Sequence, residues 1–427
     1  MFPLCYNKDM KKTGGNTVYK WIICASCTFI LFINVGFTSS AFGIHLPYIM
    51  ASGNYSNSQI SMIITLKTLS NLVGIFYADR YVERFGLRRG IAAALAAGTA
   101  GFLCMGAAKG LALYYVGGLL MGLASGLGGF MVVSILINNW FSENIGLALG
   151  VCSAGSGIAL ILLPLLVTGL ISSSGLGTAF FVEAGLEAAA FALALLVLRD
   201  RPEGAAGVQL ASETELQEQQ SVAAAEPGAE VFEHHSIGNS RILIAAAAAA
   251  MLFTGWGSNI PNYFTMLYIG SGYDDITAAR MFSAIGIILT VWKLVFGRLN
   301  DKAGTRISAI IAYLLLFAGC TAACFCGLHS AVINAAAVFC IATGLITTTV
   351  LISCLAIDLS SAEVFKRMLR IMNTAFWVGI LLGSYVTGLM ADHFGSYIQS
   401  YALCGALSLA ALALLLAVYK VQHEKTN

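Results

Sequence analysis

The chain has 427 residues, of which 58% are hydrophobic and only 10% are charged, and its formal net charge is +2. An ordinary soluble domain has about 25% charged residues, so this composition excludes a soluble globular protein. The small net charge gives no indication of a nucleic-acid partner. Apolar stretches of roughly 20 residues recur along the chain, each long enough to cross the lipid bilayer. The sequence therefore predicts an all-α, polytopic membrane protein.

Twelve transmembrane spans are predicted, in two sets of six. They lie at roughly 20–50, 57–79, 89–108, 111–140, 145–172, 176–198, 241–269, 277–297, 306–328, 330–357, 370–391 and 396–419. We divide the chain into an N-terminal half at 1–199, a polar linker at 200–240 and a C-terminal half at 241–427. Similar turn residues follow spans one and seven, Ser52-Gly53-Asn54-Tyr55 and Ser271-Gly272-Tyr273-Asp274. Parallel repeats of this kind place a substrate site between the halves, near the bilayer midplane.

The positive charges indicate how the chain crosses the membrane. If the N-terminus is cytoplasmic, 19 of the 23 Lys and Arg residues fall on the cytoplasmic side. The positive-inside rule then places both termini in the cytoplasm of a multi-pass protein of the plasma or cytoplasmic membrane. We expect a monomer in the lipid bilayer, because every span can be satisfied within one chain.

Spans one and seven have polar centres. Span one contains Asn34 and His45, and span seven contains Trp256 and Asn259. Glycine and proline near these residues loosen the helical backbone, and polar side chains can then line a cavity. The alternative is that these side chains form hydrogen bonds between helices. We interpret Asn34, His45, Trp256 and Asn259 as candidate substrate contacts.

Lys67 lies deep in span two, ten residues after Asn57. A charged side chain at this depth is costly and usually marks a transport path. Lys67 is predicted to be a second cation for the substrate or the counter-ion of a buried glutamate. A purely structural ion pair is the third interpretation.

Charged hairpins follow spans two and eight. The second, Gly297-Arg-Leu-Asn-Asp301-Lys302-Ala-Gly304-Thr-Arg306, resembles the loop signature of the major facilitator superfamily. The first, from Asp79 to Arg88, is similar but has Asp79 in place of the first glycine and Glu83 at the acidic position. The resemblance implies the fold of that superfamily, with loops that clamp helix ends by charge pairs and control conformation. Its loop residues are Asp79, Glu83, Arg84, Gly86, Arg88, Gly297, Asp301, Lys302, Gly304 and Arg306. Charges that only set the topology are the alternative.

Glu183 and Glu187 lie four residues apart in span six and share one helical face. Two neighbouring carboxyls in a low dielectric cannot both be ionised cheaply, so at least one is expected to bind a proton. This suits proton coupling, and it also suits a static salt bridge with Lys67. Both residues are candidates for proton coupling.

Lys293 interrupts the apolar run of span eight, four residues before Gly297. A lysine here costs about 2.5–3.5 kcal/mol unless it meets water or an anion. The chain is similar to the oxalate–formate antiporters and monocarboxylate carriers, in which a basic residue at this position binds the substrate carboxylate. The loop from Asn139 to Ala148 supports the same branch. The resemblance implies this role for Lys293; the alternative is that it snorkels to the cytoplasmic surface.

Together these features predict a secondary active transporter that moves a small organic anion, of the monocarboxylate or oxalate/formate type, by alternating access. Antiport and symport both stay open, with protons as the candidate coupling ion. No enzyme motif, metal-ligand set or cofactor-binding loop is found, so an enzyme is not expected. The rival hypotheses are a proton-driven exporter of drugs or amphipathic metabolites and a membrane sensor that does not transport.

Overall fold

The computed structural model describes residues 10–141, 145–201, 241–348, 350–359 and 362–424. In these ranges the secondary structure is helical and contains no strand. Twelve helices of the described residues are long and apolar enough to cross a membrane. The predicted all-α protein with twelve spans is therefore confirmed. Of the predicted linker, residues 202–240 lie outside the described ranges.

The N-terminal half contains eight α-helices that form spans one to six. They are α1 (Met10–Val35), α2 (His45–Gly53), α3 (Asn57–Phe85), α4 (Leu87–Gly106), α5 (Leu111–Gly128), α6 (Phe130–Trp140), α7 (Ile145–Ser174) and α8 (Leu176–Val197). Helices α1 and α2 make up span one, and α5 and α6 make up span four.

The C-terminal half repeats this plan in spans seven to twelve. Its described helices are α9 (Arg241–Gly257), α10 (Ile260–Gly270), α11 (Asp275–Cys324), α12 (Ala331–Gly344), α13 (Val350–Leu359), α14 (Ala362–Phe394) and α15 (Ile398–Glu424). Helices α9 and α10 make up span seven, α11 contains spans eight and nine, and α13 follows span ten. Both ends of the described chain lie on one face of the bundle, the termini face; the opposite face is the far face.

Spans one and seven are each interrupted near their centres. Span one changes from α-helix to a π-helical turn at Gly36–Ser40 and a 3-10 turn at Phe42–Ile44 before α2 begins. Span seven is interrupted between Gly257 and Ile260, and Pro261 stands in the first turn of α10. Proline fits this position because the first turn of a helix has no acceptor for its missing N–H. The predicted span at 20–50 is thus two helices with a non-α segment between them.

Matching backbone turns show the repeat directly. Gly86 ends α3 with φ 76° and ψ 166°, and Gly304 interrupts α11 with φ 80° and ψ 160°. Another residue of positive φ lies 32 positions before each of these glycines. It is Asn54 before Gly86 and Gly272 before Gly304. Asparagine and glycine are the residue types that adopt this conformation most readily.

Close packing joins the spans within and between the halves. Gly122 of span four approaches span two so closely that a Cβ there would lie 2.1 Å from the Lys67 carbonyl oxygen. Glycine at this position therefore permits the backbones of spans two and four to approach closely. Between the halves, span two packs along span eleven and span five along span eight.

The two halves are joined by hydrogen bonds near the far face. Thr265 donates to the carbonyl oxygen of Gly43 at 3.0 Å, and the hydroxyls of Thr65 and Ser384 lie 3.1 Å apart. Toward the termini face, α6 and α13 pack mainly on helices of their own halves. The structure is therefore closed at the far face.

Candidate functional site in the membrane core

Lys67 contacts the non-α segment of span one. Its Nζ donates a hydrogen bond to the Thr38 carbonyl oxygen at 2.7 Å and lies 4.2 Å from the centre of the Phe42 ring. The side chain is buried. A carbonyl dipole and an aromatic face both stabilise a cation, so span one supplies the solvation that the bilayer cannot. Glu183, one of its predicted counter-ions, pairs with another residue.

That residue is His45, the first residue of α2. Its Nε2 lies 2.8 Å from Glu183 Oε1, and the two side chains are 0% and 1% exposed. The imidazole also stacks on Phe180, with ring centres 4.8 Å apart. Its Nδ1 lies 3.3 Å from the Phe42 carbonyl oxygen. The pair connects span one to span six within the buried core.

Glu187 lies one helical turn beyond Glu183 and is also buried. Within the described ranges, both of its carboxyl oxygens lack a hydrogen-bond partner, as does Glu183 Oε2. Its Oε1 faces span three, where a Cβ on Gly98 would be only 2.6 Å away. An ionised carboxyl without partners is very costly in an apolar core, so this geometry favours the protonated acid.

The two candidate amides form hydrogen bonds between helices. Asn34 Nδ2 donates to the Ala124 carbonyl oxygen of span four at 3.1 Å, and Asn259 Nδ2 donates to the Ile380 carbonyl oxygen of span eleven at 3.0 Å. The Oδ1 atom of each is buried and has no hydrogen-bond partner in the part of the chain that the structure describes. Trp256 is partly buried beside Asn259, and both lie against Gly383 of span eleven. The amides thus hold the broken helices in place and retain one free acceptor each.

Lys293 lies on the side of span eight that meets the other half of the protein. Gly286 and Thr290 precede it by seven and three residues, which places all three on one helical face. A Cβ on Gly286 would lie 2.9 Å from the Leu160 carbonyl oxygen of span five, and Thr290 faces Gly157 of the same span. The Lys293 side chain is exposed. It therefore presents a cation at the boundary between the halves, on the termini-face side of their contact.

The hairpin residues lie on the termini face. Gly86 and Gly304 form the two turns. Arg88 donates from its guanidinium to the Leu195 carbonyl oxygen of span six, which joins two helix ends by a hydrogen bond to the backbone and not by the charge pair that the resemblance implies. The exposed side chains of this group are those of Glu83, Arg84, Arg88, Lys302 and Arg306, whereas Gly297 is partly buried. The side chains of Asp79 and Asp301 lie outside the described set.

Residues of spans one, two and six meet in this core. The structure brings together His45 with Glu183 and Lys67 with span one, whereas Lys293 stands apart in the other half. Sequence reasoning did not single out Phe42 or Phe180, which contact Lys67 and His45. Their aromatic rings could have been noticed only by their closeness in sequence to a charged residue.

Comparisons with known proteins agree with this architecture. A family model described as the Major Facilitator Superfamily matches residues 27–383. Monocarboxylate transporter 10 of Homo sapiens is 24% identical over 310 residues, and that of Rattus norvegicus is 24% identical over 280 residues. These matches cover 68% and 64% of this chain but only 56% and 52% of the relatives, so the chain spans about half of their length.

Solved structures show the same fold. The nucleoside transporter NupG aligns with a TM-score of 0.74 over 94% of this chain and 99% of its own, at 12% identity. A mutant of NupG gives the same TM-score at 11% identity, with 94% and 100% covered. Likeness at this identity concerns the fold alone. The family match and the twelve membrane-spanning helices together lead to one conclusion: the chain belongs to the Major Facilitator Superfamily and is an integral membrane transporter.

Proposed function

We propose that the protein moves a small organic anion across the membrane by alternating access, with Lys293 as the anion contact. The observation that carries this proposal is the exposed lysine on the face of span eight that meets the other half. A cation at this boundary can attract a carboxylate in a region of low dielectric. The distant similarity to monocarboxylate transporters supports the same class of substrate.

Lys67 is the second cation of the proposed path. It lies about 15 Å along span two from the helix start, which is near the bilayer midplane. Its contacts with Thr38 and Phe42 couple its position to the interrupted part of span one. An anion that approached Lys67 would compete with the Thr38 carbonyl, and span one would respond to substrate. The other candidate contacts lie beside the interruptions of spans one and seven. Asn34 and His45 flank the interruption of span one, and Trp256 and Asn259 lie at that of span seven.

Proton coupling is proposed to involve Glu183 and Glu187. Two observations support a group here that binds and releases a proton. His45 and Glu183 form a buried pair, and the Glu187 carboxyl has no hydrogen-bond partner among the described residues. A pH gradient then distinguishes two mechanisms: it should drive anion flux under proton symport but not under exchange of two anions. Under symport, Glu187→Gln should abolish flux driven by the gradient while anion exchange continues.

We infer from the distribution of Lys and Arg that the termini face is cytoplasmic. A bundle closed at the far face then corresponds to the state that faces the cytoplasm. Substrate would enter or leave between α6 and α13. The hydrogen bonds that join the two halves at the far face would have to break before the protein could open to the opposite side of the membrane.

Uptake of labelled small carboxylates into proteoliposomes tests the proposal. Lys293→Gln should reduce carboxylate flux by at least about 10-fold, since a lost charge-assisted hydrogen bond is worth about 1.5–3 kcal/mol. The matched control is Arg280→Gln, which removes an exposed positive charge from the same helix near the far face. Equal flux in the native protein and Lys293→Gln would support the snorkelling interpretation and remove Lys293 from the site.

The rival functions give different results in the same vesicles. A proton-driven exporter would show no carboxylate flux but would expel a cationic or amphipathic dye when a pH gradient is applied. A sensor would bind carboxylate without moving it. Carboxylate flux that depends on Lys293 excludes both.

A further inference from the structure

Four arginines meet on the termini face, at the ends of spans three and six. This arginine cluster consists of Arg88, Arg89, Arg199 and Arg201, and all four side chains are exposed. Together with Phe85 and Asp200 they line an open cavity of about 440 Å³. Among the residues that the structure describes, the lining thus contains four positive charges and one negative charge.

The fold holds this cluster in place through the backbone. The turn at Gly86 starts α4 at Leu87, so Arg88 and Arg89 lie in the first turn of that helix. On the other side, Trp140 Nε1 donates to the Arg199 carbonyl oxygen at 2.7 Å. Asn139 Nδ2 donates to the Asp200 carbonyl oxygen at 3.2 Å. The arginines therefore extend from two anchored segments.

The one carboxylate of the lining is engaged by the backbone of α4. Asp200 Oδ1 accepts a hydrogen bond from the Arg88 N–H at 2.6 Å, and Oδ2 lies against Gly86. Asp200 thus caps the helix. Arginines in the first turn of a helix are near its positive dipole end, which disfavours cations. An additional anion at this point would be stabilised by the guanidinium groups and by the helix terminus.

Apolar surface adjoins the charges. Phe85, which lines the cavity, is 49% exposed, and Leu196 at the end of span six is 82% exposed. Phe85 follows the candidate span Asn57–Ala78, and Leu196 lies at the end of the candidate span Leu176–Val197. A ligand of this site would place a negative group on the arginines and hydrocarbon on Phe85 and Leu196.

We propose that the arginine cluster is a binding site for the phosphate headgroup of an anionic phospholipid in the leaflet at the termini face. Arginine binds phosphate oxygens through paired N–H donors, and basic pockets beside membrane helices suit acidic headgroups. Arg88 and Arg199 have additional contacts with the Leu195 carbonyl oxygen and the Tyr19 ring. Arg89 and Arg201 supply the other two guanidinium groups of the proposed headgroup contact.

Native mass spectrometry of the full chain, released from micelles with defined lipids, tests the site. The protein should retain phosphatidylglycerol in preference to phosphatidylcholine. Arg89→Gln combined with Arg201→Gln should weaken phosphatidylglycerol binding by about 30-fold, because each basic residue near an anionic surface contributes roughly a fivefold change. The control, Lys302→Gln with Arg306→Gln, removes two exposed charges from the same face of the other half and should bind as the native protein does.

Three results would overturn the proposal. They are equal retention of the two lipids, an unchanged affinity in the double arginine variant, and an equal loss in the control. Displacement of the lipid by inorganic phosphate alone would identify a site for free phosphate.

Size-exclusion chromatography and circular dichroism check that the variants fold. If the double variant unfolds, Arg89→Lys is measured in its place. This substitution keeps the charge but not the paired N–H donors, so weaker lipid binding is expected.

Discussion

The carboxylate of Asp392 in span eleven caps the first turn of span two, which begins at Asn57 in the other half of the protein. Asp392 Oδ1 accepts from the Asn57 N–H at 2.6 Å and from its Nδ2 at 3.0 Å. Oδ2 accepts from the Ser58 N–H at 2.8 Å, and the Tyr397 hydroxyl donates to Asn57 Oδ1 at 2.9 Å. The cap of one helix thus also connects the two halves of the protein.

The substitution Asp392→Ala is expected to shift the protein toward opening at the far face. Loss of a helix cap costs about 1 kcal/mol, which corresponds to about a fivefold change in the conformational equilibrium. Hydrogen exchange of the amides at the start of span two should become faster by a similar factor. Span eight should keep its native exchange rate.

Asp274→Ala is the matched control for this prediction. Asp274 caps span eight within its own half by accepting from the Thr277 N–H at 3.0 Å. Hydrogen bonds from Thr277 hold the pKa of Asp274 below its usual range, so the cap stays ionised at neutral pH and is lost only in acid. Its loss should speed exchange in span eight alone; faster exchange in span two would show that the Asp392 effect is not specific to the boundary between the halves.

The buried pair of His45 and Glu183 is expected to behave as a coupled unit in stability. His45→Leu leaves the Glu183 carboxyl buried without its partner, and breaking a buried pair costs about 3–5 kcal/mol. Glu183→Gln keeps an acceptor 2.8 Å from Nε2 and should cost less. The melting temperature in detergent measures both changes.

The single variant Glu183→Leu and the double variant His45→Leu with Glu183→Leu complete a double-mutant cycle with His45→Leu. Replacing a buried pair by apolar side chains is often close to neutral, so the double variant should recover most of the stability lost in His45→Leu. If the two single losses simply add in the double variant, the residues do not interact.

Gly122 is expected to tolerate no side chain. A Cβ there would lie 2.1 Å from the Lys67 carbonyl oxygen and 2.0 Å from Ser70 Oγ. The hydroxyl can rotate away but the carbonyl cannot, so Gly122→Ala should separate spans two and four at a cost of about 1–3 kcal/mol. A lower melting temperature would show this loss.

Gly150→Ala is the control, because among the described residues no atom outside the neighbouring backbone of its own helix lies within 4 Å of the corresponding Cβ. In a helix, alanine is favoured over glycine, so this variant should be as stable as the native protein or slightly more stable. Equal effects of the two substitutions would contradict the close packing of spans two and four.

Several features of the fold could be read from local patterns. Runs of apolar residues located the twelve spans, and turn residues such as Gly86 and Gly304 located the repeat. Buried charges such as Lys67 and Glu187 could be recognised because ionisable residues are rare in apolar stretches. The broken geometry of span one was not predicted, because the choice between α, π and 3-10 turns depends on packing against other spans.

The pairing of the charged residues could not be predicted in the same way. Lys67 was expected to meet either the substrate or a glutamate, but it contacts the Thr38 carbonyl oxygen and Phe42. His45 pairs with Glu183, which is 138 positions away in the chain. Asp392 was not recognised at all, because nothing in its neighbourhood shows that it meets Asn57.

By itself, the sequence determined a twelve-span membrane protein of two similar halves with a few ionisable residues in its core. These properties follow from hydropathy, helix length and turn chemistry, which are local. The tertiary structure alone decided which groups satisfy one another, as with Glu183 and His45. The physical reason is that a side chain's partner depends on the rotation of each helix about its axis and on the contacts between helices. Hydropathy is nearly the same for every rotation of a helix that is apolar on all sides.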